Sequence, residues 1–446
     1  MNIDNKLEIV SWCLARLKEK GTSWARVAFT QVHSRSVDTL NGEVDKIHSS
    51  FDSAIGLIIN VGGKYGTYST NSLDINSLED FLNKSIDTTR SVVEDPFRTL
   101  PSRDRICKDA VTGYEAEIFD SEGVDVDDSE LIDIALLSSV WGRGQEKEGV
   151  KIVSEEAGVM AYDSFSILMD SEGLECKKYE TGFSYGVEVT IEDNHGNLYT
   201  GYDWHASPFL KKLNAQKCGV DALRRAESHI GAKRGQGGKY NMVLDATIAG
   251  RMLSPVMGAL NGFMIQQNDS FLSDSIGKRI FSEGLSVYDY PRMKGKTGSC
   301  YYDGEGVATK DGPVIENGVV KTYFINTYIA NKMGIEPTKE RATHLTLKAW
   351  PESGLDKDKI LKMCGDGIYV TGFNGGNHNS ATGDFSYGIE GNIIRDGALA
   401  EPVSGMLVTG NMIELWSNLI AVGEDAPDHM SNLIPTLAFK NVDFNA

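Results

Sequence analysis

Three histidines, a serine and two glycine-rich stretches are the places where this chain of 446 residues could do chemistry. His205 (Asp-Trp-His), His378 (Gly-Gly-Asn-His-Asn-Ser) and His429 (Pro-Asp-His) sit among polar neighbours. None has a second histidine four residues on, or a cysteine or histidine at ligand spacing, so the sequence joins none of them into a metal site. Each reads as a hydrogen-bonded loop histidine. Ser254 is followed by Pro255 and lacks the Gly-x-Ser-x-Gly elbow that exposes a nucleophilic hydroxyl. Gly231–Lys239 (GAKRGQGGK) is basic and glycine-rich, but Tyr240 follows its lysine where a phosphate loop needs Ser or Thr. The acidic run Asp120–Glu130 lacks the spacing of a calcium loop and reads as the solvated start of a helix. Asp384 beside Tyr387 reads as ordering a turn. Phe373–Asp384 (FNGGNHNSATGD) differs in kind. Close glycines let a backbone approach an extended peptide, and Asn or Ser side chains bond peptide groups whatever their sequence. Asn374, Gly375, Gly376, Asn377 and His378 are therefore the candidate peptide-binding residues. The competing reading is a turn between two strands.

The elements that position these residues follow from periodicity and turn chemistry. Leu7, Val10, Leu14 and Leu17 form one stripe on a first helix that Gly21 ends. Trp24–His33 and Val37–Ile47 read as strands with a turn at Leu40-Asn41-Gly42. Ala54–Val61 and Tyr65–Ser69 form a hairpin about Gly62-Gly63, its first strand expected to be buried on both faces. Ser77 is placed to cap a helix carrying Leu78, Phe81, Leu82 and Ile86. Val93–Gly113 reads as a connection, long for a structureless loop. A helix over Leu131–Trp141, with Ser129 as its cap, precedes a β-meander over Val150–His205, and Ala215–His229 returns to helix. Gly231–Lys239 reads as a linker. Beyond it come a strand (Tyr240–Leu244) and a helix (Ala249–Gly262) interrupted by Pro255, whose stripe Met252, Leu253, Val256, Met257 and Leu260 belongs in a core. Asp396-Gly397 between apolar runs predicts a tight hairpin leading to a short helix with Met412, Leu415, Trp416 and Leu419 on one face. Leu437–Phe444 is the last strand. The fold class expected is α+β in two domains. Residues 1–230 form a helix and antiparallel-sheet unit with a possible sub-boundary near 93–113. Residues 240–446 form a β-rich unit with a barrel- or sandwich-like core and peripheral helices.

Composition narrows the partners. Basic residues number 44 and acidic residues 63, a net charge of −19. That balance opposes nonspecific binding to nucleic acid or to an anionic membrane. The six cysteines contain no Cys-x-x-Cys pair and read as reduced thiols. The charged, amphipathic N-terminus is unlike a signal peptide, and no apolar run approaches the ~20 residues that span a bilayer. A cytoplasmic location is expected.

Two long blocks carry a family resemblance. Gly383–Leu419 (GDFSYGIEGNIIRDGALAEPVSGMLVTGNMIELWSNL) resembles the C-terminal signature of the TldD/PmbA family, the "modulator of DNA gyrase" group. Asp303–Thr338 (DGEGVATKDGPVIENGVVKTYFINTYIANKMGIEPT) resembles a second block of the same family. Catalytic TldD-type members are zinc metallopeptidases with a His-Glu-x-x-x-His helix and a further cysteine ligand near the C-terminus. Imidazole and thiolate hold the ion, and the carboxylate takes a proton from its water. The resemblance puts Ser254 and Ala259 at the two histidine positions and Pro255 at the glutamate. Asn241–Gln267 has no His, Glu or Cys, and the last cysteine, Cys364, precedes the tail Ala421–Pro435.

The resemblance therefore implies the PmbA/TldE-like branch. Such a chain would bind no metal itself, zinc residing in a TldD-type partner. It would pair with that partner or with itself, and the assembly would degrade peptides or unfolded chains. Two alternatives stand beside this: a hydrolase active alone through unrecognised residues, and a protein-binding modulator of DNA gyrase with no direct nucleic-acid contact.

Overall fold

The computed structural model describes residues 3–446. The first half contains α1 (Ile3–Glu19), β1 (Trp24–Leu40), β2 (Glu43–Val61), β3 (Lys64–Thr70), α2 (Ile75–Arg90), α3 (Asp128–Leu137), β4 (Val150–Asp170), β5 (Glu175–Asp193), β6 (Leu198–Ser207) and α4 (Cys218–Ser228). The second half begins with β7 (Lys233–Arg234), β8 (Gly238–Leu244), α5 (Gly250–Ala259), α6 (Gly262–Gln266), β9 (Val287–Asp289), β10 (Gly312–Glu316), β11 (Val319–Val320), α7 (Thr327–Met333) and β12 (Leu345–Leu347). It ends with α8 (Lys357–Cys364), β13 (Gly367–His378), β14 (Asp384–Arg395), β15 (Ala398–Asn411), α9 (Met412–Ser417), β16 (Leu419–Val422) and β17 (Leu437–Asn445). The class is α+β.

The first sheet is antiparallel, in the order β3-β2-β1-β4-β5-β6. Its central strands β1, β2, β4 and β5 run 17, 19, 21 and 19 residues, or about 55–70 Å at ~3.3 Å per residue. No single helix pair covers that length. Side chains alternate between faces, and Val27, Phe29 and Val37 on β1 share a parity, as do Val159, Phe165 and Ile167 on β4. That face is apolar towards both ends, with Gln31, His33 and Arg35 of β1 and Asp163 of β4 between them. Towards one end it packs on α1 and α2, around Val10, Phe29, Ile55 and Leu82. Towards the other it packs on α3 and α4, around Val126, Leu131, Tyr185 and Leu223. The sheet curls around these helices as a half-barrel.

Local differences from the sequence reading have local causes. β2 is one continuous strand, and over 54–61 burial alternates instead of covering both faces, because helices lie on one side only. The caps of α2 and α3 are Asp74 and Asp127, whose carboxylates accept the N–H groups of Ser77 and Glu130 at 2.9 Å each. A carboxylate at a helix start is a stronger acceptor than the serine hydroxyls expected there. The connection after α2 has its backbone groups bonded to distant parts of the chain. Cys107 N–H donates to Gly306 O (2.8 Å), Ala308 N–H donates to Arg105 O (2.9 Å), and Asn331 Nδ2 donates to Phe97 O (2.9 Å). Its length is what reaching the second half requires.

The second half is built on a barrel. β17, β8, β13, β14 and β15 pair in turn, and β15 returns to β17 through Leu407–Asn445, Val408–Phe444 and Thr409–Asp443. Only β8–β13 is parallel within this ring. Gly231–Lys239, expected as a linker, is itself tied in, since Lys233 and Arg234 pair with Val403 and Ser404. Asp396 and Gly397 hold φ of 49° and 74° at the predicted hairpin. Asn411 caps α9, its side chain accepting from Ile413 N–H. Trp416 on that helix is fully buried, packs edge-on against Phe439 (centroids 5.2 Å) and donates its indole N–H to Met252 O at 3.2 Å. α9 is thereby bonded to α5. β9–β12 form a small separate sheet in the order β11-β10-β9-β12.

Asp303 makes a pH prediction. Its carboxylate accepts the N–H groups of Glu305 and Val307 (3.0 Å each) in the turn that receives Cys107. Burial, then Glu305 and Glu340, raises it from the ordinary 3.8 to about 6. A raised carboxyl is held more firmly as the acid in the folded state, so its contribution is complete below pH 3.8 and lost as pH rises through about 6. Asp303→Asn keeps the acceptor oxygen and removes the charge. Urea midpoints measured from pH 4 to 7 should diverge in the variant's favour up to about pH 6 and then run parallel. Parallel curves across the whole range would contradict this assignment.

Candidate functional site

α5 is set by the end of β8. The carbonyl of Asp245, one residue beyond that strand, accepts the N–H groups of Ile248 and Ala249 (3.0 and 2.9 Å). Its carboxylate accepts the Thr247 N–H (2.9 Å) and the hydroxyl of Tyr369 on β13. Burial, then Asp245, pushes the Tyr369 phenol up. Met252, Leu253, Pro255, Val256 and Ala259 then face the core, and Pro255 sits inside the helix without ending it. Arg251, Ser254 and Gly258 form the exposed face. Of the three motif positions, Ser254 is open while Pro255 and Ala259 are buried.

The open face of α5 borders a cavity of about 650 Å³, lined also by Trp204 of β6, Phe373 of β13 and Asn432 of the tail loop. Arg251 is the charged side chain on that lining; its guanidinium lies 5.2 Å from the centroid of the Tyr387 ring. A second cavity of about 770 Å³ is lined by Tyr202, Arg225, Asp245 and Glu390. Ile248 and Phe373 line both. Together the two make a cleft between the edge strand β6 and the barrel, apolar near α5 and charged at the far side.

Asn374–His378, expected in a loop, continue β13 as exposed strand. The pairing to β14 shifts between Phe373 and Gly376, leaving Asn374 and Gly375 as a bulge, and resumes at Gly376–Tyr387, Asn377–Ser386 and His378–Phe385. Gly376 has φ 108°, and a Cβ there would come within 2.1 Å of Ser386 O, so that position requires glycine. None of the five lines either cavity; Phe373, just before them, lines both. They connect to the cleft through Tyr387, whose hydroxyl lies 3.2 Å from His378 Nδ1 and whose ring packs on Phe373 (5.6 Å) and under Arg251. Burial raises the Tyr387 phenol, and Arg251 opposes the rise.

The structure joins two of the three histidines that the sequence left apart. His205 is on β6 and His429 in the loop between β16 and β17, yet their rings lie 4.8 Å apart. Trp204 packs edge-on against His429 at 4.8 Å. Burial lowers the pKa of both, and in His429 the neighbouring His205 adds to it. His378 is elsewhere. Arg251 was missed by sequence reasoning as well, although Arg251 and Ser254, three residues apart on an otherwise apolar helix, were a legible sign of an open face.

The PmbA/TldA metallopeptidase domain 1, central domain and C-terminal domain match residues 25–88, 121–230 and 237–446. A crystal structure of a protein described as a modulator of DNA gyrase, from Bacteroides thetaiotaomicron, is 34% identical, with a TM-score of 0.94 over 100% of both chains. This chain belongs to the PmbA/TldD family. Metalloprotease PmbA of Escherichia coli O157:H7 is 25% identical over 405 residues, covering 90% of this chain and 87% of that protein. TldE from Thermococcus kodakarensis shares the fold at 16% identity, with a TM-score of 0.84 over 98% of this chain and 100% of that one. The zinc implied by the metallopeptidase name does not fit α5. Its cavity face offers a guanidinium, a hydroxyl, a thioether and a glycine, none a ligand that would hold Zn²⁺ in competition with water.

The orientation of α5 gives a paired prediction. Ser254→His should change stability by no more than about 0.5 kcal/mol, since its side chain points into open space. Ala259→His should cost about 1–3 kcal/mol, because an imidazole must enter a filled core. Urea unfolding of both variants checks the contrast, and equal costs would mean that the helix is rotated from the orientation described.

Proposed function

We propose that this chain is a TldE/PmbA-type subunit of a metallopeptidase assembly, binding peptide or unfolded chain without supplying the catalytic ion. One observation carries the reading: the helix face bordering the cleft presents Arg251, Ser254 and Met257 in place of zinc ligands and a general base. The family membership and the fold shared with TldE support it. The partner is a TldD-type subunit carrying zinc, or a second copy of this chain. The cleft between β6 and the barrel is long, largely apolar at one end and polar at the other, as a groove for extended peptides of varied sequence would be. Asn377 and His378, exposed at the end of β13, extend it as hydrogen-bonding positions.

The test is reconstitution. Peptide cleavage should appear when this chain is mixed with a TldD-type subunit and be absent from this chain alone; cleavage by this chain alone would refute the proposal. Within the assembled complex, Asn377→Ala and His378→Ala should each weaken binding of a fluorescent peptide about three- to tenfold, the loss of one hydrogen bond of about 1 kcal/mol. Anisotropy titration measures it. Unchanged affinity in both variants would remove these residues from the groove and leave the subunit assignment to the cleavage assay.

A further inference from the structure

We infer that His205, Asp428 and His429 form a divalent-cation site, suited to Zn²⁺ or Co²⁺, that clamps the first sheet to the tail loop of the barrel at the rim of the cleft. Each residue offers one ligand atom, and the three atoms all lie within 4.8 Å of one another. Among the described residues this is the one group of three or more His, Cys, Asp and Glu side chains brought that close. Two imidazoles and a carboxylate are a donor set for Zn²⁺, Co²⁺ or Fe²⁺, with a coordination position left for water.

The rings are held from outside the cluster. His205 belongs to β6 and is paired with Tyr185 of β5. His429 is braced by the edge of Trp204, and its loop is fixed on both sides. Lys296 Nζ donates to Asp428 O, and Asn432 Oδ1 accepts the Leu345 N–H at 3.0 Å. Only the Asp428 carboxylate is free to move, being exposed. Ligands held at about 2.0–2.1 Å by a tetrahedral ion stand about 3.3 Å apart, so closing from 4.8 Å is a movement of an ångström or so.

One existing bond must change. Asn214 N–H donates to His205 Nδ1 at 3.2 Å, which puts the neutral ring's own proton on Nε2. Ligation through either ring nitrogen therefore releases the exposed Asn214 amide to water, since Nδ1 then binds the ion or carries the ring's proton. That is a small change within a half-buried pocket. The neighbouring cations are Lys296, engaged with the loop carbonyl, and Arg225, paired with Asp203 at 3.1 Å. The clamp is separate from α5 and stands whether or not the subunit reading above holds.

The test uses the full chain, stripped with chelator and titrated with Zn²⁺ against a chromogenic chelator, then with Co²⁺ by visible absorption. One equivalent should bind, and Co²⁺ should give d–d bands without a thiolate charge-transfer band. His429→Ala and His205→Ala should each weaken binding at least tenfold, and Asp428→Asn several-fold. Zn²⁺ should raise the thermal midpoint of the wild type and leave that of His429→Ala unmoved. Absence of stoichiometric binding, a thiolate band, or undiminished binding in both histidine variants would each overturn the site. Asp428→Asn alters an exposed side chain, so it still reports if a histidine variant fails to fold.

Discussion

The pairing of β15 with β17 is the constraint from which the rest of the molecule follows. Without it, β17, β8, β13, β14 and β15 are an open twisted sheet with two exposed edges. With it they enclose a core whose size is fixed by five strands. That core fixes α9 through Trp416, and Trp416 fixes α5 through the carbonyl of Met252. The orientation of α5 is therefore decided by barrel closure, not by anything in the cleft. Its apolar stripe must face inward, so Arg251 and Ser254 must face out. Asp245 repeats the constraint just before the helix, where its carbonyl and carboxylate bind the turn leading into α5 and Tyr369 of the adjacent strand at once.

The cleft exists because the other half of the molecule meets that helix at a sheet edge. β6 is the last strand of the long antiparallel sheet, and Trp204 near its end reaches the cavity that α5 borders. The connection between α2 and α3 keeps the halves in register, bonded to β5 through Ala110 O and to the Asp303 turn through Cys107 N–H. A groove assembled this way draws its walls from chain segments far apart in sequence. Its chemistry can change by substitution on one wall while the others are untouched.

What could be read from the sequence were the features whose signal is local. The hairpin at Asp396-Gly397 depends on two residues that tolerate positive φ, and the α9 stripe depends on helical spacing; both are present as read. The apolar stripe of α5 was legible for the same reason. The bulge at Asn374-Gly375 was not, because whether a glycine-rich run turns or continues as strand is decided by β14 opposite it. The approach of His205 to His429 was not either, since 4.8 Å in space separates residues on β6 and in the tail loop, with no spacing rule between them. The caps lie three and two residues before the serines expected for a physical reason: serine and aspartate compete for the same orphan N–H groups, and the carboxylate won at both α2 and α3.

These observations also explain why this fold carries so little information about its own chemistry. A structure 34% identical has a TM-score of 0.94, and one at 16% still reaches 0.84. What the core of this chain requires is the closure of the barrel, the stripe of α5 and the apolar ends of the first sheet. The exposed positions of α5 bear none of this load. Arg251 and Ser254 contribute little to packing, and a histidine or glutamate on the same face would leave Met252, Leu253 and Val256 where they are. Substitution at the exposed positions 251, 254 and 258 is thus nearly neutral for folding, whereas ligands at 255 and 259 would have to enter the core. Function on this scaffold is decided by a few side chains that the fold neither demands nor forbids.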